Sequence, residues 1–464
     1  MSVHLGTTDR PLRVAIIGAG PAGFYAAEAL LKQKQLVCQI DFFNRLPTPY
    51  GLVREGVAPD HQSIKAVTRV YDKLAAGTGV RYFGNVTFGR DLTRADLKAH
   101  YDQLIYAVGA QSDRKMGIPG EDLHGSLPAT IFVGWYNGHP DYQQFQFDLT
   151  HERVVVVGNG NVAMDVTRIL VSDPDDLAKT DMADHALEAL RQSRVREVVM
   201  LGRRGPAQAA FTTPELKEFG ELPGVDVIVD PADLELDALS VASLAEDKTA
   251  QKNIELLRAY AARGRSGAPR RILMRFLASP VELLGEAGHV SAVKIERNQL
   301  VQAVDGSVRA QGSGNFETLP CGLVLRSVGY RGVPLLDVPY SRGSGTIPNI
   351  DGRVIDEEQG TPIAGEYVVG WAKRGPSGVI GTNKPDAAAT VVSMLADLPG
   401  LPGAADDADV TALLHERGVD YVTYADWKRL DAYEAAAGAQ QGRPRVKVTR
   451  VDEMMAIIRQ GRGA

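Results

Sequence analysis

The chain has 464 residues, of which 44% are hydrophobic and 23% are charged, so its composition is that of a globular protein and not of a disordered one. Its length corresponds to about three domains' worth of chain. Lys and Arg number 51 against 57 Asp and Glu, and the net charge of −6 argues against general nucleic-acid binding, which depends on a basic surface.

The two cysteines, Cys38 and Cys321, have neither a C-x-x-C spacing nor a metal-ligand spacing. We therefore expect no disulfide framework, no iron–sulfur cluster, no bound metal and no dithiol centre, so any redox chemistry must come from a bound cofactor. Residues 1–11 are too short and polar for a secretory signal, and no apolar run approaches the roughly 18–20 residues that span a membrane. These features predict a soluble cytoplasmic protein without a membrane partner.

The first predicted unit is a strand at 12–17, a glycine-rich turn, a helix and a second strand that ends near residue 44. The turn reads G-x-G-x-x-G, in the context that a dinucleotide fingerprint requires. Gly18 permits the tight turn, Gly20 lets the backbone approach a pyrophosphate, and Gly23 lets the helix pack on the strand. The N–H groups at the helix start then hold the phosphates.

The second strand of this unit ends in an unusual residue. A dinucleotide site normally places a carboxylate there for the ribose hydroxyls, whereas this chain has Asn44. Because an amide oxygen still accepts a hydrogen bond, we expect a weaker ribose contact and not its loss.

A second unit of the same kind begins with the strand 153–157 and continues as Gly158-Asn159-Gly160-Asn161-Val162-Ala163 into a helix that runs to about residue 171. Its next strand, 198–201, ends without an acidic residue and is followed by Arg203 and Arg204. Guanidinium groups bind a 2′-phosphate, so this pattern favours NADP over NAD. The alternative is a solvated surface pair.

Two short buried-type strands, 104–109 and 323–329, each end in glycine, one before the second unit and one after it. This arrangement predicts an α/β protein with two Rossmann-like dinucleotide-binding domains, one inserted within the other. We expect a discontinuous outer domain of residues 1–112 and 332–464 and an inserted domain of residues 113–331.

A third glycine-rich segment follows the strand that ends near Trp371 and leads into a helix predicted to begin near Gly378. A helix start aimed at a flavin ring would stabilise negative charge on that ring. On its own the segment could equally be a packed turn.

With these elements assembled, the chain resembles the adrenodoxin-reductase-like family of ferredoxin–NADP⁺ reductases over nearly its full length. The resemblance rests on several long blocks: PYGLVREGVAPDH at 49–61, FVGWYNGHP at 132–140, VVGNGNVAMDV at 156–166, LGRRGPAQAAFT at 201–212 and GWAKRGPSGVIGTNK at 370–384. It implies that the outer domain binds FAD, that the inserted domain binds NADP(H), and that the partner is a small ferredoxin-type electron carrier.

The resemblance also implies residue assignments. FAD is expected to contact the first glycine-rich turn, the loops that follow it and the late segment: Gly18, Ala19, Gly20, Ala22, Gly23, Asn44, Leu52, Val86, Trp371, Gly378, Val379 and Ile380. NADP(H) is expected to contact Asn159, Gly160, Asn161, Val162, Arg203, Arg204, Glu215 and Gly378. Asn44 stands where the family usually has Glu, which puts the tightness of FAD binding in question and not the identity of the cofactor.

His61 and Glu215 match the family's two ionisable residues near the flavin–nicotinamide contact. Each also has a structural explanation: His61 could cap the helix predicted from residue 63, and Glu215 suits the first turn of another helix. Hydride transfer is the flavin's own chemistry, so neither residue needs to be a nucleophile.

A ferredoxin is a small acidic protein, so its docking face should be locally basic. The candidate is a run of arginines in a segment with few acids, with Lys217, Lys373 and Arg374 as further contributors: Arg258, Arg263, Arg265, Arg270, Arg271 and Arg275. Such a run could also be an ordinary solvated surface.

The sequence thus predicts an FAD-dependent ferredoxin–NADP⁺ reductase. A thioredoxin-reductase-type enzyme would require the missing C-x-x-C, and a glutamate-synthase small subunit would bring cluster cysteines. The remaining alternative is a non-catalytic nucleotide-binding sensor or scaffold.

Overall fold

The computed structural model describes residues 5–406 and 408–462. Its strands, in chain order, are β1 (Leu12–Ile17), β2 (Cys38–Phe43), β3 (Val80–Phe83), β4 (Gln103–Tyr106), β5 (Ser112–Asp113), β6 (Ser126–Pro128), β7 (Arg153–Val157), β8 (Glu197–Leu201), β9 (Val225–Val229), β10 (Arg270–Arg275), β11 (Ala278–Glu286), β12 (His289–Gln302), β13 (Val308–Pro320), β14 (Leu323–Arg326), β15 (Tyr330–Arg331), β16 (Asn349–Ile350), β17 (Arg353–Ile355) and β18 (Pro362–Val368).

The helices follow the same order: α1 (Pro21–Leu31), α2 (Leu52–Glu55), α3 (Gln62–Lys65), α4 (Thr68–Ala75), α5 (Arg94–His100), α6 (Ala129–Tyr136), α7 (Asn161–Val171), α8 (Pro174–Leu177), α9 (Asp184–Arg191), α10 (Thr213–Glu221), α11 (Ala238–Leu244), α12 (Lys248–Arg263), α13 (Trp371–Arg374), α14 (Asn383–Asp397), α15 (Val410–Glu416), α16 (Tyr424–Gln440) and α17 (Val451–Arg462). No helix among the described residues is both long and apolar enough to cross a membrane.

The chain divides into two compact units. The first comprises residues 1–57, 61–112 and 329–464, and the second comprises residues 58–60 and 113–328.

The first unit is built on a sheet whose strand order is β16-β17-β18-β4-β1-β2-β3. The strands from β18 to β3 are parallel, and β17 and β16 extend the sheet in antiparallel fashion. One sheet face packs on α1, where the ring of Phe24 stacks on Phe42 at 4.8 Å and on Tyr71 at 4.6 Å. The C-terminal helices complete this core with Trp427 and Ile458, both essentially fully buried.

The second unit is built on a six-stranded parallel sheet of order β6-β14-β7-β8-β10-β9. Successive side chains of a strand point to opposite faces. Val154 and Val156 of β7 therefore join the core formed with the helices, whereas Val155 and Val157 pack toward the antiparallel sheet β11-β12-β13. Because both faces are covered, the strand is apolar throughout.

Two helices differ from the sequence-based expectation. The helix expected from residue 63 is divided into α3 and α4, because the connection closes with short-range bonds from Arg69 N–H to the carbonyl of Ala66 and from Val70 N–H to that of Val67. The helix expected near Gly378 begins as a short 3₁₀ turn at Ile380, and α14 starts only at Asn383. Gly378 has a φ of +79°, which lies outside the helical region.

Candidate active site

The predicted FAD residues lie at one edge of the first unit's sheet. The turn 18–23 follows β1, Asn44 follows β2, Val86 comes shortly after β3, and Trp371 comes shortly after β18. These four strands are parallel in the sheet, so their carboxyl ends meet at the same edge. Open α/β sheets bind ligands at this edge.

The backbone of the first turn has the shape that a pyrophosphate needs. A Cβ on Gly23 would lie 2.6 Å from the carbonyl oxygen of Gly18, so only glycine allows this close packing of helix and strand. A Cβ on Gly20, by contrast, would meet nothing within 4 Å. No side-chain capping bond is made at the start of α1. The helix start therefore fits an anionic group, and the residues present fit FAD phosphates.

Asn44 is built into this turn. Its Oδ1 accepts the N–H of Ala19 at 3.2 Å, and its Nδ2 donates to the carbonyls of Leu46 and Thr48, both at 3.0 Å. Its own carbonyl accepts the N–H of Val86 at 3.0 Å. The expectation of a ribose ligand missed this loop-holding role, because the bonding partners are backbone groups that a sequence motif does not identify.

Apolar side chains and a tryptophan lie near this edge. Leu52 on α2 is 37% exposed and Val379 is 56% exposed. Trp371 donates its indole N–H to the carbonyl of Ser377 at 3.1 Å and lies 5.2 Å from the ring of Tyr330. Such exposed apolar surface suits a flat aromatic ligand such as a flavin ring.

Helix α2, which carries Leu52, is held by the C-terminal part of the first unit. Arg54 binds both oxygens of Glu434 at 2.6 and 2.8 Å, and both side chains are buried. The pKa of Arg54 is lowered by burial but raised overall, chiefly by Glu434. Lys447 donates to the carbonyl of Arg54 at 3.0 Å. The GRPRVKV segment at 442–448 thus holds α2, the helix that carries the predicted flavin contact Leu52.

The second unit presents its glycine-rich turn at the carboxyl edge of its own sheet. Gly158 has a φ of +136°, and an added Cβ there would lie 2.2 Å from the carbonyl oxygen of Ser327. Helix α7 begins after Gly160 without a side-chain cap. Asn161 Oδ1 accepts the N–H of Thr212 at 2.9 Å, which ties the start of α7 to the start of α10.

Arg203 and Arg204 follow β8 at this edge. Among the described residues neither guanidinium forms an ion pair, unlike most arginines of this chain. Burial first, and then the adjacent Arg203, lower the pKa of Arg204, although a guanidinium remains protonated at neutral pH. The Nδ2 of Asn298 donates a hydrogen bond to the carbonyl of Arg203 at 2.7 Å, which fixes the loop. Two neighbouring cations on a fixed loop fit the 2′-phosphate of NADP.

The two ionisable candidates lie on different elements. Glu215 is buried in the first turn of α10, in the second unit. His61 occupies the N-cap position of α3, in the first unit, but its side chain makes no capping bond there. Capping therefore does not account for the His61 side chain.

Sequence reasoning missed Arg168, which binds Glu215 at 3.2 Å. The available signal was an arginine in the apolar stretch at the end of α7, where a buried charge requires partners.

The predicted docking arginines lie on two different elements. Arg258, Arg263 and Arg265 are exposed at the end of α12 and just after it. Arg270 and Arg271 instead lie on β10, where Arg270 bonds the carbonyl of Val171 and Arg271 pairs with Glu197. Arg275 pairs in turn with Glu317.

Lys373 and Arg374 also have partners within the protein. Lys373 Nζ lies 3.1 Å and Arg374 Nε lies 3.9 Å from Oδ1 of Asp386. The same carboxylate accepts the N–H of Gly370 at 2.7 Å, so these side chains organise the late glycine-rich segment.

Both cysteines are buried and free. Burial raises the pKa of Cys38, and it raises the pKa of Cys321 to about 12. Both thiols are therefore protonated and unreactive at neutral pH, which fits a protein whose electrons travel through a cofactor.

Comparison with known proteins identifies the family. Residues 12–203 match the pyridine nucleotide-disulphide oxidoreductase family. The chain is 50% identical to the NADPH-ferredoxin reductase FprA of Mycobacterium tuberculosis, covering 97% of this chain and 99% of that protein. It is 39% identical to the human mitochondrial NADPH:adrenodoxin oxidoreductase, covering 98% and 94%.

A solved structure agrees with these relationships. The structure of Mycobacterium tuberculosis FprA in complex with NADPH superposes with a TM-score of 0.91 at 49% identity, over 97% of this chain and 100% of that one. The predicted fold class and the predicted oxidoreductase class are confirmed. The chain belongs to the NADPH-ferredoxin reductase family that also includes adrenodoxin oxidoreductase.

Proposed function

We propose that this protein is an FAD-dependent NADPH–ferredoxin reductase, which exchanges hydride with NADPH and passes electrons singly to or from a ferredoxin-type carrier. The observation that carries this proposal is the pair of glycine-rich turns at the carboxyl ends of parallel strands in two sheets. The second turn lies near Arg203 and Arg204, whose guanidinium groups form no ion pair among the described residues. The near full-length relationship to NADPH-ferredoxin reductases supports it.

When bound, FAD and NADP(H) supply the hydride and electron chemistry. The chain's own residues bind and orient them. We assign FAD to the first unit and NADP(H) to the second, which corresponds to the predicted domains 1–112 with 332–464 and 113–331. In this assignment the turn around Gly20 holds the FAD pyrophosphate, Leu52 and Val379 exclude water from the flavin ring, and Arg203 and Arg204 hold the 2′-phosphate.

His61 and Glu215 are proposed to position the nicotinamide ring and to hold protons near the reacting atoms. An imidazole and a carboxylate can each accept or donate a proton, so both side chains suit this task. The role of Gly378 toward both cofactors is part of the same proposal.

For the partner, we propose a small acidic iron–sulfur carrier that docks on Arg258, Arg263 and Arg265. These arginines are the most exposed part of the predicted run, whereas Arg270 and Arg271 lie on β10 and bond to Val171 and Glu197. Complementary charge speeds the encounter of two proteins. We also propose a cytoplasmic location, which fractionation of cells with an antibody tests.

The decisive experiment uses purified protein reconstituted with FAD. The rate of NADPH oxidation is measured with ferricyanide and with a panel of ferredoxins and flavodoxins, and NADH is tested in parallel. We expect a yellow protein that strongly prefers NADPH and reduces at least one ferredoxin. A protein that takes up no FAD, or that reacts with neither nucleotide, would contradict the proposal.

A further inference from the structure

The guanidinium of Arg168 is surrounded by carboxylates within the second unit. Only 3% of the Arg168 side chain is exposed. It binds both oxygens of Asp60 at 2.7 and 3.0 Å and Asp165 at 2.7 Å. Its remaining terminal nitrogen lies 3.2 Å from Glu215 and 3.1 Å from Glu218. One buried cation therefore contacts four carboxylates at once.

These carboxylates come from three separate segments. Asp165 lies one turn before Arg168 on α7, Glu215 and Glu218 lie one turn apart on α10, and Asp60 belongs to the short segment 58–60. Burial by itself lowers the pKa of Arg168, but Asp60 foremost, with Asp165 and Glu215, raises it well above its usual range. The guanidinium thus orients all four groups together.

Helix α7 contacts α10 through two side chains on one face. Asn161 accepts the N–H of Thr212, and Arg168, seven residues later, binds Glu215 and Glu218. Positions seven apart lie on the same side of a helix. The predicted NADP turn is the start of α7, so these two contacts, together with the shared hydrophobic core, fix the position of Glu215 relative to that turn.

We propose that Arg168 is a positioning residue for hydride transfer, which holds the Glu215 carboxylate in place relative to the NADP turn. This inference rests on the proposed role of Glu215. Arg168 itself does not exchange protons, because a guanidinium stays charged at all working pH values. Its contribution is geometry, and a small displacement of a catalytic group has a large effect on rate.

The test uses the FAD-loaded variants Arg168→Met and Arg168→Lys. Reduction of the flavin by NADPH is followed by rapid mixing from pH 5.5 to 9, and NADP⁺ binding is measured by titration of the flavin spectrum. We expect Arg168→Met to slow flavin reduction by roughly tenfold or more. Binding of NADP⁺ should weaken by less than about threefold, because the phosphate contacts remain.

The pH profile separates positioning from simple loss of structure. Removing the cation leaves the carboxylates of Asp60, Asp165 and Glu215 without their shared counter-charge, which favours their uncharged forms at low pH. The rate of Arg168→Met should therefore fall toward low pH and recover as the pH rises, more steeply than in the wild type. Arg168→Lys keeps the charge but not the forked geometry, so its rate should be reduced with a profile like that of the wild type.

The matched control is Arg326→Met. Arg326 is another buried arginine of the second unit, paired with Glu121 at 2.9 Å, and it bonds no predicted site residue. We expect this variant to lose stability but to keep the wild-type rate of flavin reduction.

A folded Arg168→Met variant with the wild-type rate and pH profile would overturn the inference. If Arg168→Met does not fold, the test relies on Arg168→Lys. A wild-type rate of flavin reduction in Arg168→Lys would also overturn the inference. Wild-type protein that reduces ferricyanide but no ferredoxin contradicts only the proposed partner and leaves the Arg168 comparison valid.

Discussion

The side-chain oxygen of Asn44, at the end of β2, accepts the backbone N–H of Ala19, in the turn after β1, at 3.2 Å. The residue at the position that binds the ribose in a typical dinucleotide site thus holds the first glycine-rich turn and its neighbouring loop. This structural role leads to the first prediction.

Replacing Asn44 with Ala removes three hydrogen bonds, to Ala19, Leu46 and Thr48. At about 1 kcal/mol each, we expect the free energy of unfolding of the first unit to fall by roughly 2–3 kcal/mol and FAD to bind more weakly. Urea unfolding of the apoprotein and FAD fluorescence titration measure the two effects. The control is Gln103→Ala, which removes a buried amide at the amino end of β4. It should lower the free energy of unfolding without changing the affinity for FAD. Unchanged FAD affinity in Asn44→Ala would contradict the prediction.

The double variant Arg203→Ala/Arg204→Ala tests nucleotide choice. A charge-assisted hydrogen bond contributes about 1.5–3 kcal/mol, so the KM for NADPH should rise by roughly 10–100-fold. NADH lacks the 2′-phosphate, and its kinetics should change little. Arg196, exposed at the opposite end of β8, provides the control Arg196→Ala. An equal loss with both nucleotides would remove the 2′-phosphate assignment.

His61→Ala separates a catalytic from a structural role. The His61 side chain makes no capping bond to α3, so the helix does not depend on it. We expect the rate of flavin reduction by NADPH to fall by at least about tenfold, as it does when a general acid or base is removed. The exposed His415 of the same unit gives the control His415→Ala. If stopped-flow traces of His61→Ala overlay those of the wild type, the residue has no part in the reaction.

A pH-dependent contribution to stability is predicted at Asp96. Two hydrogen bonds from Arg417, at 2.7 and 2.9 Å, are the main cause that lowers the pKa of Asp96 from 3.8 to about 2, and Thr93 adds to the effect. Because the folded pKa is lowered, this contribution is complete above about pH 4 and is lost as the pH falls toward 2. Arg417 is about a third exposed, so solvent screening reduces the gain to about 1–2 kcal/mol.

The variant Asp96→Asn should therefore destabilise the first unit at pH 7 and 5, and the difference from the wild type should shrink at pH 3. Urea unfolding is followed by tryptophan fluorescence in a Trp135→Phe background, in which the remaining Trp371 and Trp427 both lie in this unit. Asp9→Asn, at an exposed aspartate of the same unit, serves as the control. A difference that does not vary with pH would show that Asp96 acts without its charge.

Much of the architecture could be read from local patterns. The strands at 12–17 and 153–157 and the helix that ends at Val171 lie where the sequence predicted them. Each combines a continuous apolar run with a glycine-rich turn, and these signals act over a few residues. The division of the helix after His61 was not predicted, because short-range turn bonds compete with helical bonds at similar energy.

The arginine run at 258–275 illustrates the opposite case. Neighbouring positions in the sequence are distributed between an exposed helix end and an interior strand, so Arg263 is exposed whereas Arg271 pairs with Glu197. Charge composition alone does not distinguish a docking surface from a set of intramolecular ion pairs, because the acidic partners of these arginines lie far away in the sequence.

The sequence by itself predicted two Rossmann-like units with glycine-rich turns, an arginine pair in the second unit that favours NADP, and two cysteines without a dithiol spacing. The reason is that glycine turns, apolar strands and the Arg203–Arg204 pair act locally. Only the tertiary structure decided that Asn44 holds the first glycine-rich turn, that capping does not explain His61, and that Arg168 binds four carboxylates from three segments. Buried polar groups must find partners, and folding brings those partners from distant parts of the chain.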